Sequence, residues 1–126
     1  MKTLLTISTL IFTVMFSSTS FAGWTKVGKN VKGSIYVDFE RIRKVDSYVF
    51  YWQLGDFLEP AEGFLSVTIY RKLDCKLFRY KSLSYSFHKK PMGGKPSETV
   101  NPKNPEWEYP PPKSGNEIIL KAVCSR

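Results

Sequence analysis

The chain has 126 residues, 19 Lys and Arg against 11 Asp and Glu, and a formal net charge of +8, with 42% hydrophobic residues. That length excludes a second sizeable domain and suits one domain with one modest core. The positive balance favours acidic partners such as anionic glycans, nucleic acid, lipid head groups or acidic protein faces, with general solubility as the plain alternative.

The N-terminal stretch MKTLLTISTLIFTVMFSSTSFA begins with Lys2, runs apolar from Leu4 to Phe16, and ends on Ser20, Phe21 and Ala22. This is the pattern of a secretory signal peptide over residues 1–22, cut between Ala22 and Gly23. An uncleaved anchor would need about 20 apolar residues, more than this run supplies. The expected product is a single exported domain, residues 23–126, periplasmic or secreted and without a transmembrane segment. Export also guides the reading of Cys75 and Cys124, the only two cysteines. An oxidising compartment favours a disulfide between them over a metal site or a redox dithiol.

From Trp24 to His88 the pattern is strand after strand. SIYVDF alternates, with Ile35, Val37 and Phe39 on one face and Tyr36 and Asp38 on the other, the period of a half-buried strand. SYVFYWQL is apolar or aromatic on both faces, Tyr48, Phe50, Trp52 and Leu54 against Val49 and Tyr51, and reads as a central strand. The stretch from Gly55 to Gly63, with Pro60 inside it, reads as a connection. FLSVTIYRK then places Leu65, Val67 and Ile69 inward and Ser66 and Thr68 outward. In KLFRYKSLSYSFHKK the phase slips between Phe78 and Tyr80 on one parity and Leu83, Tyr85 and Phe87 on the other. A β-bulge near Lys81 or Ser82 restores register.

Seven of the eight prolines fall between Pro91 and Pro112, which predicts ordered loop with a short edge strand at Ser97 to Val100. A helix follows from about Gly115 to Cys124. Ser114 and Glu117 fit a capping box at its start, and Glu117 and Lys121 stand at i, i+4 in the favourable order. Ile118, Ile119, Leu120, Ala122, Val123 and Cys124 sweep most of its circumference, so it is covered on more than one side. About ten residues of helix are marginal alone. Burial on the sheet and the bond to Cys75 are expected to hold it there.

These features in combination resemble the surface-adhesin protein E family of small exported bacterial proteins. The matching residues are Trp24, the Tyr36 to Asp38 strand with Ile42 following, Trp52, Gln53, Leu54, Asp74, Cys75, Met92, Gly93, Gly94, Trp107, Pro112, Ser114, Glu117 and Cys124. The resemblance implies an α+β fold: an antiparallel sheet of about six strands with a C-terminal helix tethered to its concave side by the disulfide. It also implies a non-enzymatic protein that attaches bacteria to host extracellular-matrix and plasma proteins. The chain departs from the lipid-anchored type in having no cysteine after the signal, so a periplasmic or released product stands beside surface display.

Catalysis finds little support in the residues. The single histidine, His88, precedes Lys89 and Lys90 at a strand end and is expected exposed or lightly buried. No serine stands in a G-x-S-x-G turn, and the acids are scattered, so neither a metal nor a cofactor is implied. Glu106 and Glu108 flank Trp107 and would share a face, as a weak cation site or as a solvated edge. The candidate binding surface is basic and aromatic: Arg71, Lys72, Lys76, Arg79, Lys81, Lys89 and Lys90 interleaved with Tyr70, Phe78, Tyr80, Tyr85 and Phe87. Such a face suits charge attraction and stacking, although strand alternation alone would also bury the aromatics and solvate the lysines. Arg79 and Lys81 share parity and form the nucleus of any patch. Trp107 is expected to pack beneath the helix start, and an exposed edge strand leaves a homodimer open. Three readings follow: an adhesin-like binding protein, an envelope protein of structural or stress role, and a small basic hydrolase acting on nucleic acid.

Overall fold

The computed structural model describes residues 23–126; the expected signal peptide lies outside the described residues. One antiparallel sheet is built from β1 (Thr25–Asn30), β2 (Gly33–Val37), β3 (Arg43–Val45), β4 (Tyr48–Ala61), β5 (Phe64–Asp74), β6 (Arg79–His88) and β7 (Pro96–Val100), and one helix, α1 (Gly115–Cys124), follows. The strand order is β1-β2-β4-β5-β6-β7, with β3 paired to the end of β4 that β2 leaves free. The α+β class, the terminal helix and its tether are as the sequence indicates. Among the described residues no helix is long and apolar enough to cross a membrane.

β4 is longer than expected. The stretch from Gly55 to Gly63 is not a connection: β4 runs on to Ala61, which pairs with Phe64 of β5. Only Glu62 and Gly63 turn the chain, both at positive φ of 52° and 84°, the conformation a two-residue hairpin demands and glycine supplies at least cost. Pro60 falls in the irregular part of this ladder, between the pairs Asp56↔Ser66 and Ala61↔Phe64, where a missing N–H breaks no regular pair. In β6 the expected extra residue is present, with Leu83 as the unpaired position: Arg71 pairs with Ser82 and Tyr70 with Ser84.

α1 covers one face of the sheet. Ile119, Leu120 and Val123 are buried and join Ile35, Val37, Val49, Tyr51, Leu73 and Tyr80 in one apolar core. The disulfide Cys75–Cys124 ties the last residue of the helix to the turn after β5, with 5.8 Å between the Cα atoms. At the other end the Ser114 hydroxyl accepts from the Glu117 N–H at 3.2 Å. The Glu117 carboxylate reaches back to the Lys113 N–H rather than to that of Ser114, so the box closes one residue earlier than its usual form. Lys121 lies 3.4 Å from Glu117 along the exposed stripe.

The opposite face has its own, smaller cover. A 3-10 turn at Pro91–Gly93 folds over the far end of β4 and β5, and Gly93, at φ 66°, packs so closely that an added Cβ would lie 3.1 Å from Thr68 and 3.3 Å from Leu54. Ser66 and Thr68 are therefore buried, not outward. The Ser66 hydroxyl donates to the Lys90 carbonyl at 2.7 Å and accepts from the Gly93 N–H at 3.0 Å. His88 is likewise buried, 3% exposed, with one ring nitrogen 2.9 Å from the Thr68 hydroxyl and the other on the Gly94 carbonyl. Strand alternation assigns a residue to a face; it does not say which loop later covers that face.

Candidate functional site

Between the Pro91–Gly93 turn and the disulfide end, the face opposite α1 carries a half-buried array of aromatic and cationic side chains. Its base is the even-numbered set of β4. Tyr48, Phe50 and Trp52 project to this side while Val49 and Tyr51 enter the core beneath the helix. Tyr70 of β5 lies between Phe50 and Trp52, with ring centroids 6.2 and 4.9 Å away. Trp107 stacks on Tyr48 at 5.9 Å. It is brought there because Glu108 bridges to Tyr80, each backbone N–H donating to the other's carbonyl, which makes residues around 108 a short continuation of the sheet beyond β6. The ring thus lies on the far side of the sheet from the helix start under which it was expected.

Cations lie over these rings. The Lys72 ammonium is 4.2 Å from the Tyr48 centroid, and Arg79 and Lys81 are 4.2 and 4.7 Å from that of Trp107. Arg43 is 5.4 Å from Phe50 and donates to the Tyr70 hydroxyl at 3.1 Å. Arg41 lies 5.6 Å from Trp52 and 6.0 Å from Trp24. The negative ring faces stabilise these positive charges without neutralising them, by about 0.5–1 kcal/mol at exposed sites.

Two members also have carboxylates: Arg41 with Asp38 at 2.6 Å and Arg79 with Asp74 at 3.0 Å. Burial would push the Asp74 carboxyl up, but the Arg79 guanidinium and the N–H groups of Leu77 and Lys76 together hold it below its ordinary value. It stays ionised and keeps Arg79 over Trp107. Among the described residues Arg43, Lys72 and Lys81 have no carboxylate within ion-pair distance.

Of the seven basic residues singled out in the sequence, Lys72, Arg79 and Lys81 meet in this array. Lys76 is exposed in the turn after β5, and Lys89 and Lys90 are exposed beyond the opposite end of β6. Arg71 faces the other way. It is 6% exposed, donating from Nε to Ser82 at 3.1 Å and from Nη1 to Gln53 at 2.9 Å and Asn116 at 2.8 Å, with its guanidinium 4.2 Å from the Tyr80 centroid. Asn116 donates in turn to the Tyr80 hydroxyl at 3.0 Å, and Tyr51 to Gln53 at 2.9 Å. This network fixes the first turn of α1 to the sheet. Burial pushes the Tyr51 phenol up to about 12, against the opposing pull of the Arg71 charge.

Of the five interleaved aromatics, only Tyr70 joins the array. Phe78 and Tyr80 pack with the helix core, and Tyr85 and Phe87 are paired with Ile69 and Val67 on that same side. The missing members, Tyr48, Phe50, Trp52, Arg43 and Arg41, come from β4 and the segment before it. The parity of SYVFYWQL had already placed its three rings on one face. Glu106 and Glu108 line a cavity with Ser82 and Tyr85, and among the described residues no three His, Cys, Asp or Glu side chains gather as a metal site would require.

A family model described as Surface-adhesin protein E matches residues 24–125. No curated protein matches the chain in sequence. In fold it is similar to the selenomethionine form of Haemophilus influenzae protein E, with a TM-score of 0.61 and 18% identity over 85% of this chain and 89% of that one. It is equally similar to a second crystal form of that protein, with a TM-score of 0.61 and 19% identity over 84% and 90% of the two chains.

Proposed function

The chain belongs to the surface-adhesin protein E family, and on that premise we propose that it is an exported, non-enzymatic, adhesin-like protein that docks a host extracellular-matrix or plasma protein, or an envelope polymer, on the face opposite α1. The family match across residues 24–125 carries the reading. The aromatic array supports that face as the docking surface, because it gathers tyrosine, tryptophan and arginine side chains, the residue types that carry most binding energy at interfaces.

The proposed route to that surface is removal of residues 1–22 on export, and an oxidising compartment then maintains the Cys75–Cys124 tether on which the fold depends. Among the described residues the two outer strands, β1 and β7, each leave one edge unpaired, so a second copy is a further proposed partner.

The test is saturable binding of oxidised residues 23–126 to immobilised laminin and vitronectin at low and high salt. Binding to at least one that survives added salt is expected. Failure to bind any matrix or plasma protein or envelope polymer overturns the proposal, and cleavage of RNA or DNA by pure protein would return the hydrolase reading.

A further inference from the structure

The strand register arranges the array's unpaired cations into a line. Arg43 is paired across the ladder with Phe50, Phe50 with Lys72, and Lys72 with Lys81. Cross-strand partners project to the same face, so Arg43, Phe50, Lys72 and Lys81 form one row running across β3, β4, β5 and β6. At ~4.8 Å per strand, the three charges span about 14 Å. The row on one side holds Tyr48, Asp74 and Arg79, and the row on the other holds Trp52 and Tyr70. The only carboxylate within these rows is that of Asp74, already held by Arg79. A line of positive charge therefore crosses the sheet with aromatic rings along both sides.

From this geometry, and resting on the docking face proposed above, we infer that the row Arg43–Lys72–Lys81 binds a linear sulfated polysaccharide laid across the strands. An extended ligand fits because the charges lie in a line on an open face. A densely charged one fits because Lys72 and Lys81 stand on adjacent strands, one spacing apart, and each needs its own anion. Sulfate accepts the charge-assisted hydrogen bonds that ammonium and guanidinium groups donate.

Single-stranded nucleic acid is the less suitable polyanion. Its sequence-independent binding draws on bases stacked against open aromatic faces, and here those faces are already occupied: Trp107 by Arg79 and Lys81, Tyr48 by Lys72. Arg43 is exposed, Lys72 and Lys81 are half-buried, and the rings hold the cations in place.

The experiment measures affinity of oxidised residues 23–126 for heparin across a salt series, with heparin oligosaccharides of increasing length, single-stranded RNA and uncharged dextran as comparison ligands. Each cation that displaces a counterion contributes close to one to the slope of log affinity against log salt. The double variant K72Q/K81Q is expected to lose about tenfold or more in affinity and about two in slope. The double variant K26Q/K29Q, the same charge change on exposed β1, is expected to keep the parent's slope. R43Q, at the exposed end of the row, is expected to lower the slope by about one and provides a second test should the double variant fold poorly. Oligosaccharides too short to span about 14 Å are expected to bind markedly more weakly.

Equal losses in K72Q/K81Q and K26Q/K29Q would mean that net charge alone is responsible and would overturn the inference, as would RNA binding as tightly as heparin of matched charge. If heparin fails while K72Q/K81Q lowers laminin or vitronectin binding, the polysaccharide is wrong and the docking face stands. If the parent chain binds neither heparin nor any of the proteins, both fall.

Discussion

Arg71 and Lys72 are neighbours in the chain, carry the same charge, and belong to opposite worlds. Arg71 points under α1, where Ser82, Gln53, Asn116 and the Tyr80 ring enclose it. Lys72 points to the open side and rests on Tyr48. The contrast extends to the two faces of the sheet. The helix face is closed by covalent and apolar contacts and maintains the fold. Among the described residues the other is covered by the Pro91–Gly93 turn at one end and by Trp107 at the other, and keeps its aromatic groups half-buried and its cations half-buried or exposed. A single period-2 alternation produces both; closure of one face by a distant segment makes them differ.

The strongest way to break this contrast is to remove the closure. Cys124→Ala takes away a cross-link between residues 49 apart, for which chain entropy gives about 4 kcal/mol. In a domain of this size each kcal/mol moves the melting temperature by about 4–8 °C. Calorimetry should show a fall well above 10 °C, and an unchanged melting temperature would contradict the tether. Reduction of the native protein should reproduce the shift.

The second test sharpens the contrast at its centre. Arg71→Ala orphans acceptors on Ser82 and Asn116, leaves Gln53 with only its Tyr51 donor, and opens a hole beneath the helix start, a loss of about 3 kcal/mol. Lys72→Ala removes a charge from a half-open face and should cost under about 1 kcal/mol. Binding should show the reverse order, with Lys72→Ala the more damaging when both are assayed folded. If the two variants melt alike and bind alike, the faces are not specialised in the way the geometry indicates.

How much of this was legible in the sequence follows from the range of the forces involved. Alternation, the capping residues and the two cysteines are local or unique signals, and they disclosed the strands, the helix and its tether. The bulge in β6 was legible too, because the slip in phase between Tyr80 and Leu83 is itself a pattern. What stayed hidden depends on contacts between distant segments. Gly55, Pro60 and Gly63 carry loop chemistry, yet pairing with β5 and β2 draws that stretch into β4. His88, Ser66 and Thr68 look solvated until the Met92–Gly94 segment closes over them. Trp107 is carried away from the helix start by the backbone bridge between Glu108 and Tyr80, a contact no local signal announces. The site followed the same rule: Arg79 and Lys81 were paired correctly by parity, while Arg71 was grouped with them by chain proximity and turned away by one residue of strand.

The smallest of the three effects separates the start of the helix from its end. Ser114→Ala removes the hydroxyl that accepts from Glu117 N–H, a change worth about 1 kcal/mol at an N-cap, hence a few degrees in melting temperature. If the disulfide alone positions α1, this end can fray with no consequence for the sheet. The structure argues otherwise, because Asn116, two residues on, is a partner of both Arg71 and Tyr80. Loosening the first turn should therefore also loosen the buried network, and hydrogen exchange at the β5 amides around Arg71 should accelerate in Ser114→Ala, with those of β7 unaffected. Acceleration confined to the helix would show that the cap and the network act independently, and that Cys75–Cys124 alone couples the helix to the sheet.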